Sequence, residues 1–191
     1  LSVYQLSVEP GTPLWRRLRR SEFSLPGEEP SLEFFLATDD LLDRAGFLHY
    51  EVSNYARRPE FASRHNGKYW RHAPYLGLGP SAHSFQDGRR WWNYRNINAY
   101  LAALAEDRLP VAGSETLGQK ELRLETLFLG LRTADGIDMS SFRRRFGEDL
   151  RETRKDILSG LISEALLIIE DDRLKPTVRG MATADRLSIQ L

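Results

Sequence analysis

The chain has 191 residues, with 27 basic side chains against 27 acidic ones, and it contains no cysteine. That length can bury a real core, as one large or two small domains. Balanced charge excludes a whole-molecule field that would draw the chain to nucleic acid or a membrane. The lack of cysteine excludes disulfides, thiolate nucleophiles and iron–sulfur or Cys-ligated zinc sites built from these residues.

Leu1–Val8 alternates apolar and polar side chains, which predicts a strand. It starts with no initiator Met and no cap or turn, so the chain is expected to be a piece of a longer protein. Glu9-Pro10-Gly11-Thr12-Pro13 predicts a turn, and Leu14–Arg20 a short basic helix with Leu14, Trp15 and Leu18 inward. Ser31 is placed to cap a helix to Ala45 whose inner face carries Phe34, Thr38, Leu41, Leu42 and Ala45. Gly46 should end it in the left-handed conformation with Phe47 packed back. A second strand near His49–Val52 then implies a parallel β–α–β unit, with further strands missing upstream.

Asn54–Asn96 shows little periodicity but many aromatics, which predicts a long functional loop. Four helical patterns follow. They are Ala99–Asp107, capped by Asn98 with Tyr100, Leu101 and Leu104 inward; Leu117–Arg132; Asp138–Phe146, stopped at Gly147; and Leu150–Glu164. Leu166–Glu170 and Arg173–Thr177, joined by Asp171-Asp172, read as a hairpin. The longest apolar run, Ala165–Ile169, is too short to span a bilayer and no secretory signal opens the chain, so a cytoplasmic protein fits best.

Four stretches could carry chemistry. Tyr50–Arg57 places Glu51, Ser53 and Asn54 at a strand's C-terminal end, as ligand contacts or as local pairing and a turn. His65-Asn66-Gly67-Lys68-Tyr69-Trp70 combines an imidazole with flat aromatics suited to a macrocycle or nucleobase; otherwise it is a packed loop. His65, His72 and His83 together match no zinc spacing. Gly77–Ser84 would let backbone approach a ligand, or simply turn, and it is no phosphate-binding P-loop. Arg89, Arg90, Trp91, Trp92 and Arg95 could close the domain, hold an acidic ligand or bind single-stranded nucleic acid.

Taken in order, four runs carry a resemblance: Ser-Val-Tyr-Gln-Leu with Glu-Pro-Gly-Thr-Pro, Tyr-Glu-Val-Ser-Asn-Tyr-Ala-Arg, Arg-His-Asn-Gly-Lys-Tyr-Trp and Tyr-Leu-Gly-Leu-Gly-Pro-Ser-Ala-His-Ser-Phe. The chain resembles the radical-SAM family of the haem chaperone HemW, relatives of the oxygen-independent coproporphyrinogen III oxidase HemN. The resemblance implies an α/β fold: the C-terminal portion of a partial (β/α) barrel over 1–96, then a mainly helical, winged-helix-like domain over 97–191. It implies haem contacts at His65, Asn66, Tyr69 and Trp70, with His65 as the iron ligand. Ser7, Gly79, Ser81, Ala82 and His83 would lie near S-adenosylmethionine. The family's 4Fe-4S cluster is held by a three-cysteine motif absent from this chain, so these residues alone are expected to do no radical chemistry.

The implied function is binding haem and delivering it to haem-accepting client proteins, with no nucleic-acid partner and membrane association only through clients. Two rivals are a coproporphyrinogen III oxidase of porphyrin biosynthesis and a winged-helix nucleic-acid-binding module. In the latter, the mixed charges of Leu150–Glu164 argue against a basic recognition face.

Overall fold

A computed structural model describes all residues, Leu1–Leu191. The elements in chain order are α1 (Pro13–Arg19), α2 (Glu28–Arg44), β1 (Leu48–Glu51), β2 (Asn54–Ala56), α3 (Arg64–Trp70), β3 (His83–Gln86), β4 (Arg89–Asn93), α4 (Ile97–Ala105) and β5 (Val111–Thr116). They continue with α5 (Gln119–Gly130), β6 (Ile137–Asp138), α6 (Met139–Phe146), α7 (Leu150–Thr153), α8 (Lys155–Ser163), β7 (Leu167–Glu170), β8 (Arg173–Pro176), α9 (Val178–Ala182) and α10 (Ala184–Gln190). The strands form three small sheets: β1-β2, β3-β4-β5 and β6-β8-β7.

Every strand pairing is antiparallel, so the expected parallel β–α–β unit is not formed. The turn at Val52-Ser53 sends the chain straight back along β1, and only antiparallel pairing is open to so short a connection. Leu1–Val8 likewise makes no strand. Ser2 forms one bridge to Asn54, and the backbone N–H of Val3 donates to the Ser53 carbonyl at 2.8 Å. The partner β2 is only three residues long, so the alternating pattern finds no ladder to join. The sheet β3-β4-β5 also draws strands from both sides of the division expected at 96/97.

The helix boundaries differ where caps compete. α2 starts at Glu28 after Gly27, three residues before Ser31, because Glu28 and Glu29 suit the positive end of the helix and Pro30 is tolerated in a first turn. Its expected inner face is only partly covered: Phe34, Leu41 and Ala45 are exposed, Thr38 and Leu42 are half-buried, and it is Phe35 and Asp39 that meet His49 of β1. Gly46 does sit at φ 78°, with the Phe47 N–H donating to Leu42 at 2.9 Å. Asn96, not Asn98, caps α4, accepting from the N–H groups of Asn98 and Ala99, and only Ala103 of α4 is buried. Leu101 and Leu104 face outward. The Leu150–Glu164 pattern is broken at Arg154 into α7 and α8.

The core lies in the C-terminal part. Thirteen buried residues from Leu127 to Leu191 form one cluster, with Leu127, Leu131, Leu167 and Leu174 wholly enclosed. Each such leucine contributes about 1.5–3 kcal/mol by leaving water. Asp138 caps α6 by accepting from the Ser141 N–H at 2.6 Å, and Gly147 ends it at φ 68°. The first fifty residues contain no fully buried side chain. β1 ties these unequal parts together. One edge pairs with β2; on the other, the Val52 N–H donates to Arg132 and the Ala134 N–H to Tyr50.

Candidate functional site

The stretch expected to be loop at His65–Trp70 is the short helix α3. Ser63 caps it, its hydroxyl accepting from the Asn66 N–H at 3.2 Å. Gly67 in its interior costs about 1 kcal/mol relative to alanine. Here it leaves room for the Arg71 guanidinium, which would stand 3.2 Å from an added Cβ. At about 100° per residue, the helix presents different chemistry on its different faces.

One face turns inward. Glu51, at 1% exposure, accepts from Asn54 Nδ2 at 2.8 Å, from Asn66 Nδ2 at 2.6 Å and from the Trp70 indole N–H. No basic group pairs with this carboxylate; three neutral donors satisfy it instead. Asn66 and Trp70, expected as ligand contacts, therefore hold α3 onto β1. Glu51 and Asn54, expected at a ligand crevice, belong to the same buried network.

Another face turns outward. His65 is exposed, and its Nε2 lies 3.0 Å from the Tyr69 hydroxyl. Tyr69 stands edge-on to both His65 and Tyr75, with ring centroids 5.0 and 4.6 Å apart. Tyr75 continues to Phe85, and Phe85 stacks on His72 at 5.5 Å. Five rings thus run from the exposed imidazole to a buried one. Beside them, Tyr69, Tyr75, Phe85 and Phe128 line a cavity of about 250 Å³ that also receives Arg90 and Glu125.

The polar wall of that cavity is not legible as a unit in the sequence. Glu125 Oε2 accepts from Arg90 at 2.7 Å and lies 3.0 Å from His72 Nε2; Arg90 also donates to Glu115 at 2.9 Å. Burial lowers the His72 pKa below its ordinary 6.5, outweighing the hydrogen bond to Glu125. For Glu125, burial pushes upward but the bonds from Arg90 and His72 prevail, leaving its pKa lowered. Both groups bind a proton more readily when unfolded, so both destabilise the fold as pH falls, His72 below about 6.5 and Glu125 further into acid. The melting temperature should therefore drop between about pH 8 and pH 5, and drop less in His72→Gln. Equal slopes in the two proteins would show that His72 contributes nothing to this dependence.

The Gly77–Ser84 loop spends its own amides. The N–H groups of Gly77, Gly79, Ser81 and Ala82 donate to the Ser84 hydroxyl, the Tyr100 hydroxyl, the Tyr94 carbonyl and the Gly79 carbonyl. Asn93 Nδ2 clamps the loop through the Gly79 carbonyl at 3.0 Å. Gly77 is required by close approach, since an added Cβ would sit 2.0 Å from the His83 carbonyl oxygen. Gly79, Ser81 and Ala82 therefore have no free backbone N–H to offer S-adenosylmethionine. No hydrogen bond joins the loop to Ser7, whose segment binds β2 instead. His83 packs its ring against Trp92 at 5.8 Å. His65, His72 and His83 therefore have separate partners, and no group of three or more His, Cys, Asp or Glu side chains could hold a metal ion. No helix is long and apolar enough to cross a membrane.

Residues 117–183 match the HemN C-terminal domain. Over 185 residues, 97% of this chain, it is 39% identical to the "Heme chaperone HemW" of Mycobacterium tuberculosis. The chain is similar to the HemW family along nearly its whole length. Another relative, the mouse "Radical S-adenosyl methionine domain-containing protein 1, mitochondrial", is 31% identical over 207 residues, covering 100% of this chain. The chain spans 45% and 46% of the lengths of these two relatives. Among solved structures, the fold is similar to coproporphyrinogen III oxidase (HemN) from Escherichia coli, a radical SAM enzyme. The TM-score is 0.63 at 15% identity, over 87% of this chain and 42% of that one.

Proposed function

We propose that the chain is the haem-handling part of a HemW-like chaperone, binding haem on the outer face of α3 and passing it to haem-requiring proteins. One observation carries this reading: in the family's His-Asn-x-x-Tyr-Trp run, the asparagine and tryptophan are turned inward onto Glu51 while the histidine is left exposed. The donor set fits the group. Nδ1 of His65 has no hydrogen-bond partner, and the rings of Tyr69 and Tyr75 stand beside it. Bound haem would supply an iron that one imidazole nitrogen can ligate.

The protein's own part is positional. Glu51 fixes the rotation of α3, the Tyr69 hydroxyl orients the imidazole, and the exposed position leaves the ligand within reach of a client's competing side chain. We assign the 4Fe-4S cluster to residues outside these 191, since no cysteine here can ligate iron. We read α6–α8 with β6-β8-β7 as winged-helix-like. Two of its basic residues are spent internally, Arg151 on Asp172 at 2.7 Å and Arg154 on the Leu191 carbonyl at 2.6 Å, which weakens the case for nucleic acid as the ligand.

Adding haem to the 191-residue chain should give a Soret band whose position reports imidazole ligation. His65→Ala should shift that band and weaken binding about tenfold or more, the loss expected when one oriented ligand is removed. An unchanged spectrum and affinity in the variant would overturn the assignment.

A further inference from the structure

The Arg89–Arg95 cluster offers positive charge for an acidic ligand, but the structure commits its central member elsewhere. Arg90 is held by Glu115 and by both oxygens of Glu125, so it has little capacity left for another carboxylate. Arg89 and Arg95 are in no ion pair, and the free cations next to His65 lie on α3. Arg64 and Lys68, one turn apart, are both outside the buried network around Glu51. The ion pairs of this region are Arg58–Glu60, His72–Glu125, Arg90–Glu115 and Arg90–Glu125; none involves Arg64, Lys68 or Arg71. Residues four apart share a helix face, so Arg64 and Lys68 form a stripe, and His65 and Tyr69 form the stripe next to it. Arg71 continues that stripe one turn on, but its guanidinium leans back over Gly67, so it serves as the control for a nearby charge.

Haem is a flat apolar ring with two carboxylates on one edge. A surface that binds it needs an iron ligand, aromatic contact and cations to one side. We propose that Arg64 and Lys68 receive the propionate carboxylates of haem ligated at His65, and that they set the orientation of the macrocycle over Tyr69. This rests on the His65 reading above. Guanidinium–carboxylate pairing adds directional, charge-assisted hydrogen bonds. Because the cations are open to solvent, their contribution is modest and falls with salt.

The test compares haem with its dimethyl ester, which keeps iron and ring but loses the carboxylate charge. Both are titrated in the same detergent against wild type, His65→Ala, the double variant Arg64→Glu/Lys68→Glu, and Arg71→Glu as a charge control. Wild type should bind haem about five- to tenfold more tightly than the ester, with the gap narrowing as salt rises. The double variant should lose that preference while keeping an imidazole-type Soret band, and Arg71→Glu should retain it. Equal affinity for haem and ester, with the band still dependent on His65, would overturn the cation assignment and leave the His65 site standing. Loss of the preference in Arg71→Glu to the same extent as in the double variant would overturn it too. A band that does not depend on His65 would overturn both.

Discussion

Glu51→Ala should cost about 3–5 kcal/mol of stability, among the largest effects of any single change in this chain. The substitution removes one buried carboxylate and strands three donors at once: Asn54 Nδ2, Asn66 Nδ2 and the Trp70 indole. Each unsatisfied donor costs about 1–3 kcal/mol, with the lower end applying to Asn66 and Trp70 because both are only partly buried. A cavity at the base of α3 adds to the loss. Glu51→Gln should recover only part of it, because its amide NH₂ faces donors where an acceptor is needed. Denaturant unfolding followed by tryptophan emission would measure both changes. If Glu51→Ala unfolds within about 1 kcal/mol of wild type, the network does not hold α3 in place. Haem affinity should fall with it, since the same bonds orient His65.

Gly136→Ala should cost about 3 kcal/mol or more. Gly136 sits at φ 63°, where a side chain is strained, and an added Cβ would lie 2.2 Å from the Leu174 carbonyl oxygen and 2.7 Å from Lys175 Cα. Both neighbours are backbone in β8, so relief requires β6 and β8 to move apart. The same substitution at Gly160, inside α8 with nothing within 4 Å, should instead raise stability by about 0.5–1 kcal/mol. Paired melts of the two variants decide the matter: a similar change in both would mean that contact at Gly136 does not govern its cost.

What is legible in the sequence is local. The Asp138 cap, the Gly147 stop, the Gly46 terminus and the hairpin about Asp171-Asp172 each depend on a few adjacent residues, and all are present. What escapes reading is non-local. Asn66 and Trp70 meet Glu51 across 15 and 19 residues, and His72 meets Glu125 across 53. No pattern within one element encodes those partners. α3 is hidden for a different reason: at seven residues with an internal glycine, it carries too few apolar positions to show a helical period. Ser63 is its one available signal, a capping hydroxyl three residues before Asn66. The apolar stripe of α2 is plain in the sequence, but periodicity cannot say whether anything covers it.

The uneven distribution of burial has a consequence for local unfolding. Segments that bury little can open at small cost, while a packed core opens only near the global free energy. Residues 1–47 bury no side chain fully, whereas β1 is bonded along its second edge to Arg132–Ala134, at the margin of the leucine-rich cluster. α1 can therefore fray and re-form without disturbing the carboxylate that holds α3, whereas α2 is held to β1 by Asp39 on His49 at 2.8 Å. The exposed histidine shares the longer lifetime of the C-terminal core rather than the shorter one of the first helix in the chain.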